Sequence, residues 1–79
     1  MTREDIFDQL TEVFIDVFDE VDITLSDNTT ADDIDEWDSL EHITLITAIE
    51  KEFKIRFKMS EVSSMKNVGE MVDIIESRI

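Results

Sequence analysis

Ser39 stands among groups that could act on it: Asp38 precedes it, Glu41 and His42 follow within three residues, and Asp35 and Glu36 lie just upstream. A histidine three positions along a helix shares a surface with the serine, and such a pair can in principle make an activated nucleophile. A hydrolase needs more. The chain has one histidine, a single glycine (Gly69) and so no glycine-rich turn for an oxyanion hole, and too little mass to enclose a substrate. A different chemistry suits a serine at a helix start, because the free amides and dipole of the first turn favour an anion there and would hold a phosphate ester on Ser39. The neighbouring carboxylates oppose that anion locally and make better sense as a landing surface for a basic partner that brings the modifying chemistry with it. A first-turn serine is ordinarily chosen for local hydrogen bonding, so residue type alone does not decide between these uses.

A second cluster, Asp27, Asp32, Asp33, Asp35 and Asp38, crowds one stretch of chain. A calcium loop of the EF-hand kind needs alternating ligands, a glycine at the sixth position and a glutamate at the twelfth, and no window supplies them. No metal site is expected beyond weak, unspecific cation binding. The absence of cysteine removes disulfides and thiolate sites.

The elements that must position Ser39 follow from periodicity. Ile6, Phe7, Leu10, Val13, Phe14, Val17 and Phe18 recur at three- and four-residue spacings and predict an amphipathic helix, with Thr2 and Asp5 as its capping box and an end near Asp19 to Asp22. From Ile23 to Trp37 the period lapses among turn formers, predicting a long loop anchored by Ile23, Leu25, Ile34 and Trp37. A second helix starts at Asp38, with Glu41 at the box position, and runs along Leu40, Ile43, Ile46, Ile49 and Phe53 to about Lys54. Ile55-Arg56-Phe57 reads as an extended connector with two side chains inward, Ser60 to Val62 as a short helical turn, and Asn67 with Glu70 as the cap and box of a last helix reaching Ile79. The fold class is therefore all-α: a small antiparallel bundle of three main helices and one short one, with a long loop between the first two.

Composition bounds the rest. Seventy-nine residues make one domain, 1–79, with a modest core. The net charge of −14 excludes a phosphate-backbone binder, so no nucleic acid partner is expected. All of that surplus lies in residues 1–41, where Arg3 is the sole base, and such a field steers the chain toward basic protein surfaces. No apolar run is long enough to span a bilayer and the N-terminus lacks a secretory pattern, so a cytoplasmic monomer is expected.

The order of elements, with Asp38-Ser39-Leu40 opening a mid-chain helix that ends in Ala48-Ile49-Glu50-Lys51-Glu52-Phe53, resembles the acyl carrier protein family across nearly the whole chain. The resemblance implies a carrier rather than an enzyme. In it a phosphopantetheinyl transferase moves a 4′-phosphopantetheine arm from coenzyme A onto Ser39, and acyl groups ride on the arm as thioesters. It further implies that Asp38, Leu40, Glu41, Ile43 and Glu50 contact partner enzymes, acyl-transferring, condensing or ligating, with basic docking surfaces. An acyl pocket lined by Ile46, Ile49, Phe53, Phe57, Val62, Met65 and Ile75 follows from the same likeness. The service implied is fatty acid, polyketide or specialised lipid biosynthesis. Glu36-Trp37 stands where many fatty-acid carriers have Gly-Ala, Thr44 and Thr47 face outward, and Lys51, Lys54, Arg56 and Lys58 form a basic patch where the family usually carries acid. These departures favour a dedicated pathway. The other readings are a D-alanyl carrier, an aminoacyl or peptidyl carrier (although glycines typically precede the serine there), and an unmodified acidic interaction module.

Overall fold

The computed structural model describes residues 2–19 and 23–79. Helix α1 spans Arg3–Phe18, α2 Ser39–Phe53, α3 Met59–Ser64 and α4 Val68–Arg78. No strand occurs among the described residues. The expected architecture is thus the observed one, with a single 3₁₀ turn at Ala31–Asp33 added inside the loop.

Helices α1, α2 and α4 start where a short polar side chain satisfies a free amide, whereas α3 starts at Lys58 without a side-chain cap bond. Thr2 Oγ1 accepts from the Asp5 amide at 3.1 Å and Asp5 accepts in return from the Thr2 amide at 3.1 Å, closing the expected box. A related arrangement, not foreseen, opens the 3₁₀ turn: Asp33 accepts from the Thr30 amide (2.9 Å), and Thr30 Oγ1 accepts from the Asp32 amide (3.3 Å). At α2 only half the expected box forms: Asp38 accepts from the Glu41 amide at 2.8 Å, while the Asp38 amide donates to Glu36 O. At α4 Asn67 accepts from the Glu70 amide, but the Glu70 carboxylate takes the Lys66 amide instead of closing on Asn67. Helix α1 ends at Asp19 in the left-handed region (φ 54°), as α2 does at Lys54 (φ 58°). The remainder of the expected α1 end, 20–22, lies outside the described residues.

Helices α1 and α2 run antiparallel. Near the start of α1 Gln9 donates to Glu52 at the far end of α2 (2.8 Å), whereas Phe14 and Phe18 meet Trp37 immediately before α2 begins. The apolar stripe of α1 closes against α2 and α4, fully burying Leu10, Phe14, Leu45, Ile49, Met71 and Ile75 among others. Burying a side chain of this kind stabilises by roughly 1.5–3 kcal/mol, so these contacts, and not helix propensity, hold the bundle. Of the expected loop anchors Trp37 is buried, and Ile23, Leu25 and Ile34 pack half-buried on the core.

Polar contacts tie the loop to α4. Thr29 is buried, its hydroxyl accepts from the Ser26 amide (2.9 Å), and its carbonyl accepts from the Val68 amide (2.8 Å). The Gly69 amide donates to Asp27 O (3.0 Å), and Arg3 reaches across from α1 to Asp27 (2.6 Å) and Asp73 (2.8 Å). Gly69 is required by the close approach: a Cβ there would lie 2.7 Å from the Asp27 carbonyl oxygen. In an open helix alanine is favoured over glycine by about 1 kcal/mol, but forcing backbone atoms apart in a packed region costs about 1–3 kcal/mol. Gly69→Ala should therefore lower stability by about 1 kcal/mol in urea unfolding; an unchanged or raised midpoint would show that the loop yields without cost.

Candidate functional site

The start of α2 is built from a buried residue followed at once by exposed ones. Trp37 packs edge-on against Phe14 (ring centroids 5.3 Å apart, 86° between planes) while Asp38, Ser39 and Leu40 all stand in solvent. Asp38 is in an extended conformation and caps the helix, so Ser39 is its first residue. The Ser39 hydroxyl has no hydrogen-bond partner among the described residues. Asp35, Glu36 and Asp38 around it are exposed and Glu41 is half-buried, which gives the acidic rim the sequence suggested.

His42 does not face Ser39 as a free histidine on the helix surface. Its ring stacks on Trp37 at 5.9 Å and is partly buried. The Trp37 indole Nε1–H donates to His42 Nδ1 at 3.0 Å, and Nε2 lies 3.1 Å from the Val62 carbonyl in α3. Because an indole nitrogen only donates, Nδ1 must be the acceptor and Nε2–H the donor. Both ring nitrogens are thereby occupied away from Ser39, and the residue cannot serve as its base in this arrangement. The sequence carried no local sign of this, since the acceptor is a backbone carbonyl twenty residues away.

Beside Ser39, a cavity of about 500 Å³ opens between the head of α2 and α3. Ser39, His42, Ile43, Met59, Val62 and Met65 are on its walls. Of the seven residues expected to line an acyl pocket, Val62 and Met65 border this cavity. Ile46, Ile49, Phe53 and Ile75 are buried in the core, Phe57 packs at its edge, and none of these five borders the cavity. The expected partner contacts divide similarly. Asp38 is exposed, Leu40 (74%) and Ile43 (57%) project strongly into solvent, and Glu41 is at their side. Glu50 lies farther along, half-buried, and its carboxylate accepts from the Phe57 amide at 2.8 Å, so it fastens the connector.

Helix α3, the outer wall of the cavity, has no fully buried residue. It is held at three points: Glu50 to Phe57 just before it, His42 to Val62 within it, and Glu61 to Arg78 of α4 at 2.6 Å. The Arg78 hydrogen bond, then that from the Lys58 amide, holds the Glu61 carboxyl below its ordinary range. Among the described residues no group of histidines and carboxylates is arranged to hold a metal ion, and no helix is long and apolar enough to cross a membrane.

Comparison with known proteins assigns this architecture to a class. Residues 8–75 match the family described as the phosphopantetheine attachment site. The chain belongs to that family, the acyl carrier proteins, whose prosthetic group is a covalently attached 4′-phosphopantetheine. Among individual relatives, an acyl carrier protein of Petrotoga mobilis is 32% identical over 81 residues, covering 100% of this chain and 93% of that one. The solution structure of the holo acyl carrier protein of Geobacter metallireducens superposes with a TM-score of 0.86 at 43% identity, covering 91% of this chain and 83% of that one.

Two outcomes test the α3 attachment. His42→Leu leaves the Trp37 indole N–H without its acceptor inside the protein and should cost about 1–3 kcal/mol in urea unfolding, with a moved indole N–H resonance. His42→Gln, which restores an acceptor, should recover part of the loss, and equal behaviour of the two variants would discount the hydrogen bond. For Glu61, a lowered folded pKa gives stabilisation that is complete above the ordinary glutamate range and lost as pH falls through the lowered value. Arg78→Gln should therefore return the Glu61 titration, followed by carboxyl-carbon NMR, toward its ordinary position; a titration that stays low would assign the effect to the Lys58 amide.

Proposed function

We propose that Ser39 is the attachment residue and that this chain carries acyl intermediates to partner enzymes of fatty acid, polyketide or specialised lipid biosynthesis, without a catalytic step of its own. The observation that carries this reading is the Ser39 hydroxyl, exposed and without a bond at the first position of α2. A transferase can reach it from solvent, and the first-turn amides favour the phosphodiester that results. The Ser39 oxygen would bond to the phosphorus nearest pantetheine in coenzyme A, the bond from that phosphorus to the nucleotide would break, and the hydroxyl proton would pass to a base of the transferase. When bound, the arm supplies a terminal thiol for thioester formation.

The chain's own residues then present and shelter the cargo. Asp38 and Glu41 offer charge to a basic docking surface, while exposed Leu40 and Ile43 offer apolar contact. The cavity reached from Ser39 provides the first shelter, with Val62 and the adaptable thioether of Met65 on its wall. The core residues Ile46, Ile49, Phe53 and Ile75, with Phe57, would be reached only by a longer cargo that parts α2 from α3. A cytoplasmic address belongs to the same proposal, since the modification draws on coenzyme A.

Incubation with coenzyme A and a broad-specificity phosphopantetheinyl transferase should raise the intact mass by one phosphopantetheine, and Ser39→Ala should abolish the gain. An unmodified wild-type chain, or a modified Ser39→Ala chain, would refute the assignment.

A further inference from the structure

The outward face of α2 changes sign along its length. Leu40, Ile43, Thr44, Thr47, Lys51 and Lys54 share one side of the helix, each three or four residues from another of the set, and all are exposed. Acids flank the Ser39 end, at Asp38 and Glu41. The middle is neutral: the Thr44 and Thr47 hydroxyls donate back to the Leu40 (3.5 Å) and Ile43 (3.0 Å) carbonyls and so are satisfied within the helix. At the far end Lys51 and Lys54 are joined by Arg56 and Lys58 of the connector, also exposed.

These four cations are unpaired among the described residues, in a chain with 21 acids and seven bases. Arg3 and Arg78, by contrast, are both bound in ion pairs, and the seventh base, Lys66, stands apart from the four, exposed at the cavity beside Ser39. The nearest carboxylates in sequence have other partners, Glu50 the Phe57 amide and Glu52 Gln9. A strongly acidic chain that gathers four exposed cations, none in an ion pair among the described residues, at the last turn of α2 and along the connector after it presents a second electrostatic signal. Ser39 and Lys51 are twelve residues apart on α2, about 18 Å at the helical rise. That exceeds the screening length of about 8 Å at physiological ionic strength, so a docking protein meets two separate patches, not one average charge.

Resting on the carrier reading above, we infer that the exposed face of α2 is a two-signed docking strip. It fits a partner enzyme that sets cations against Asp38 and Glu41 and an acidic patch about 18 Å farther along, and it disfavours one whose docking face is basic throughout. Like charges brought together across an interface slow association and suppress wrong pairings. The strip therefore fixes both the orientation of docking and the choice of partner.

The test uses a phosphopantetheinyl transferase with a uniformly basic docking face, together with a version whose basic residues about 18 Å from its active site are replaced by glutamate. Each is assayed at low salt against the wild-type chain and the triple variant Lys51→Gln, Arg56→Gln, Lys58→Gln, with circular dichroism to verify the fold. The wild-type chain should favour the acid-bearing transferase in kcat/KM by a factor on the order of 3 to 10, and the triple variant should lose that preference. Both effects should shrink as salt rises. Arm attachment with the same preference in both chains would overturn the two-signed strip alone. Failure of both transferases to modify Ser39 would remove the carrier reading and the strip with it. Sedimentation of the free chain completes the test: dimers that the triple variant dissolves would assign the strip to a second copy and overturn the enzyme partner.

Discussion

The geometry of this protein depends on burying Trp37 two residues before a serine that stands in solvent. The indole sits edge-on to Phe14 and tilted against Phe18, so the aromatic end of α1 fixes the point at which α2 can begin. Burial of the ring creates an obligation for its N–H, which would be costly unpaired, and His42 Nδ1 meets it one turn into α2. His42 in turn uses its other nitrogen to hold α3. One hydrophobic anchor thus places the Ser39 end of α2 and, through a single imidazole, the far wall of the cavity beside it. The exposure of Ser39 follows from the same turn of the chain, because the extended Asp38 carries the backbone from the core to the surface within one residue.

The acidity of the chain has a structural part and a free part. Asp5, Asp33 and Glu61 accept a backbone amide in the first turn of their elements, Asp38 does so from the cap position and Glu70 just inside α4. Negative charge at these places also complements the dipole of the helix it begins. Asp35 and Glu36 have no such duty and remain exposed beside Ser39. A solubility argument treats all these carboxylates alike; their hydrogen bonds separate those that build the fold from those left to meet another molecule.

Much of this was legible in the sequence because it depends on local pattern. The stripes of α1, α2 and α4 obey one period, and Trp37 stood out as a large apolar residue among turn formers. Ser39 was singled out by its place at a helix head and by resemblance, since no property of an isolated serine distinguishes an attachment point from a capping residue. What could not be read depends on distant partners. The His42 acceptor lies in another helix, the Glu50 carboxylate closes on an amide seven residues on, and buried Thr29 is explained only by the approach of Val68. The cavity is a gap where elements fail to meet, a feature no local pattern encodes, and Ile46 and Ile75, which the family likeness implied as pocket residues, pack in the core beside it.

The way α3 is held gives that gap its use. Helices α1, α2 and α4 share the fully buried side chains, whereas α3 offers the core only the partly buried Val62 and rests on a few polar contacts. Elements with little buried apolar area open at lower free energy than the core they border. Enlarging the cavity by shifting α3 breaks contacts such as His42 to Val62, while enlarging it from the other side would pull Leu45 and Ile49 out of the bundle. The softer wall is therefore the one opposite Ser39, and the cavity can widen on that side without loosening the packing that keeps the head of α2 in place.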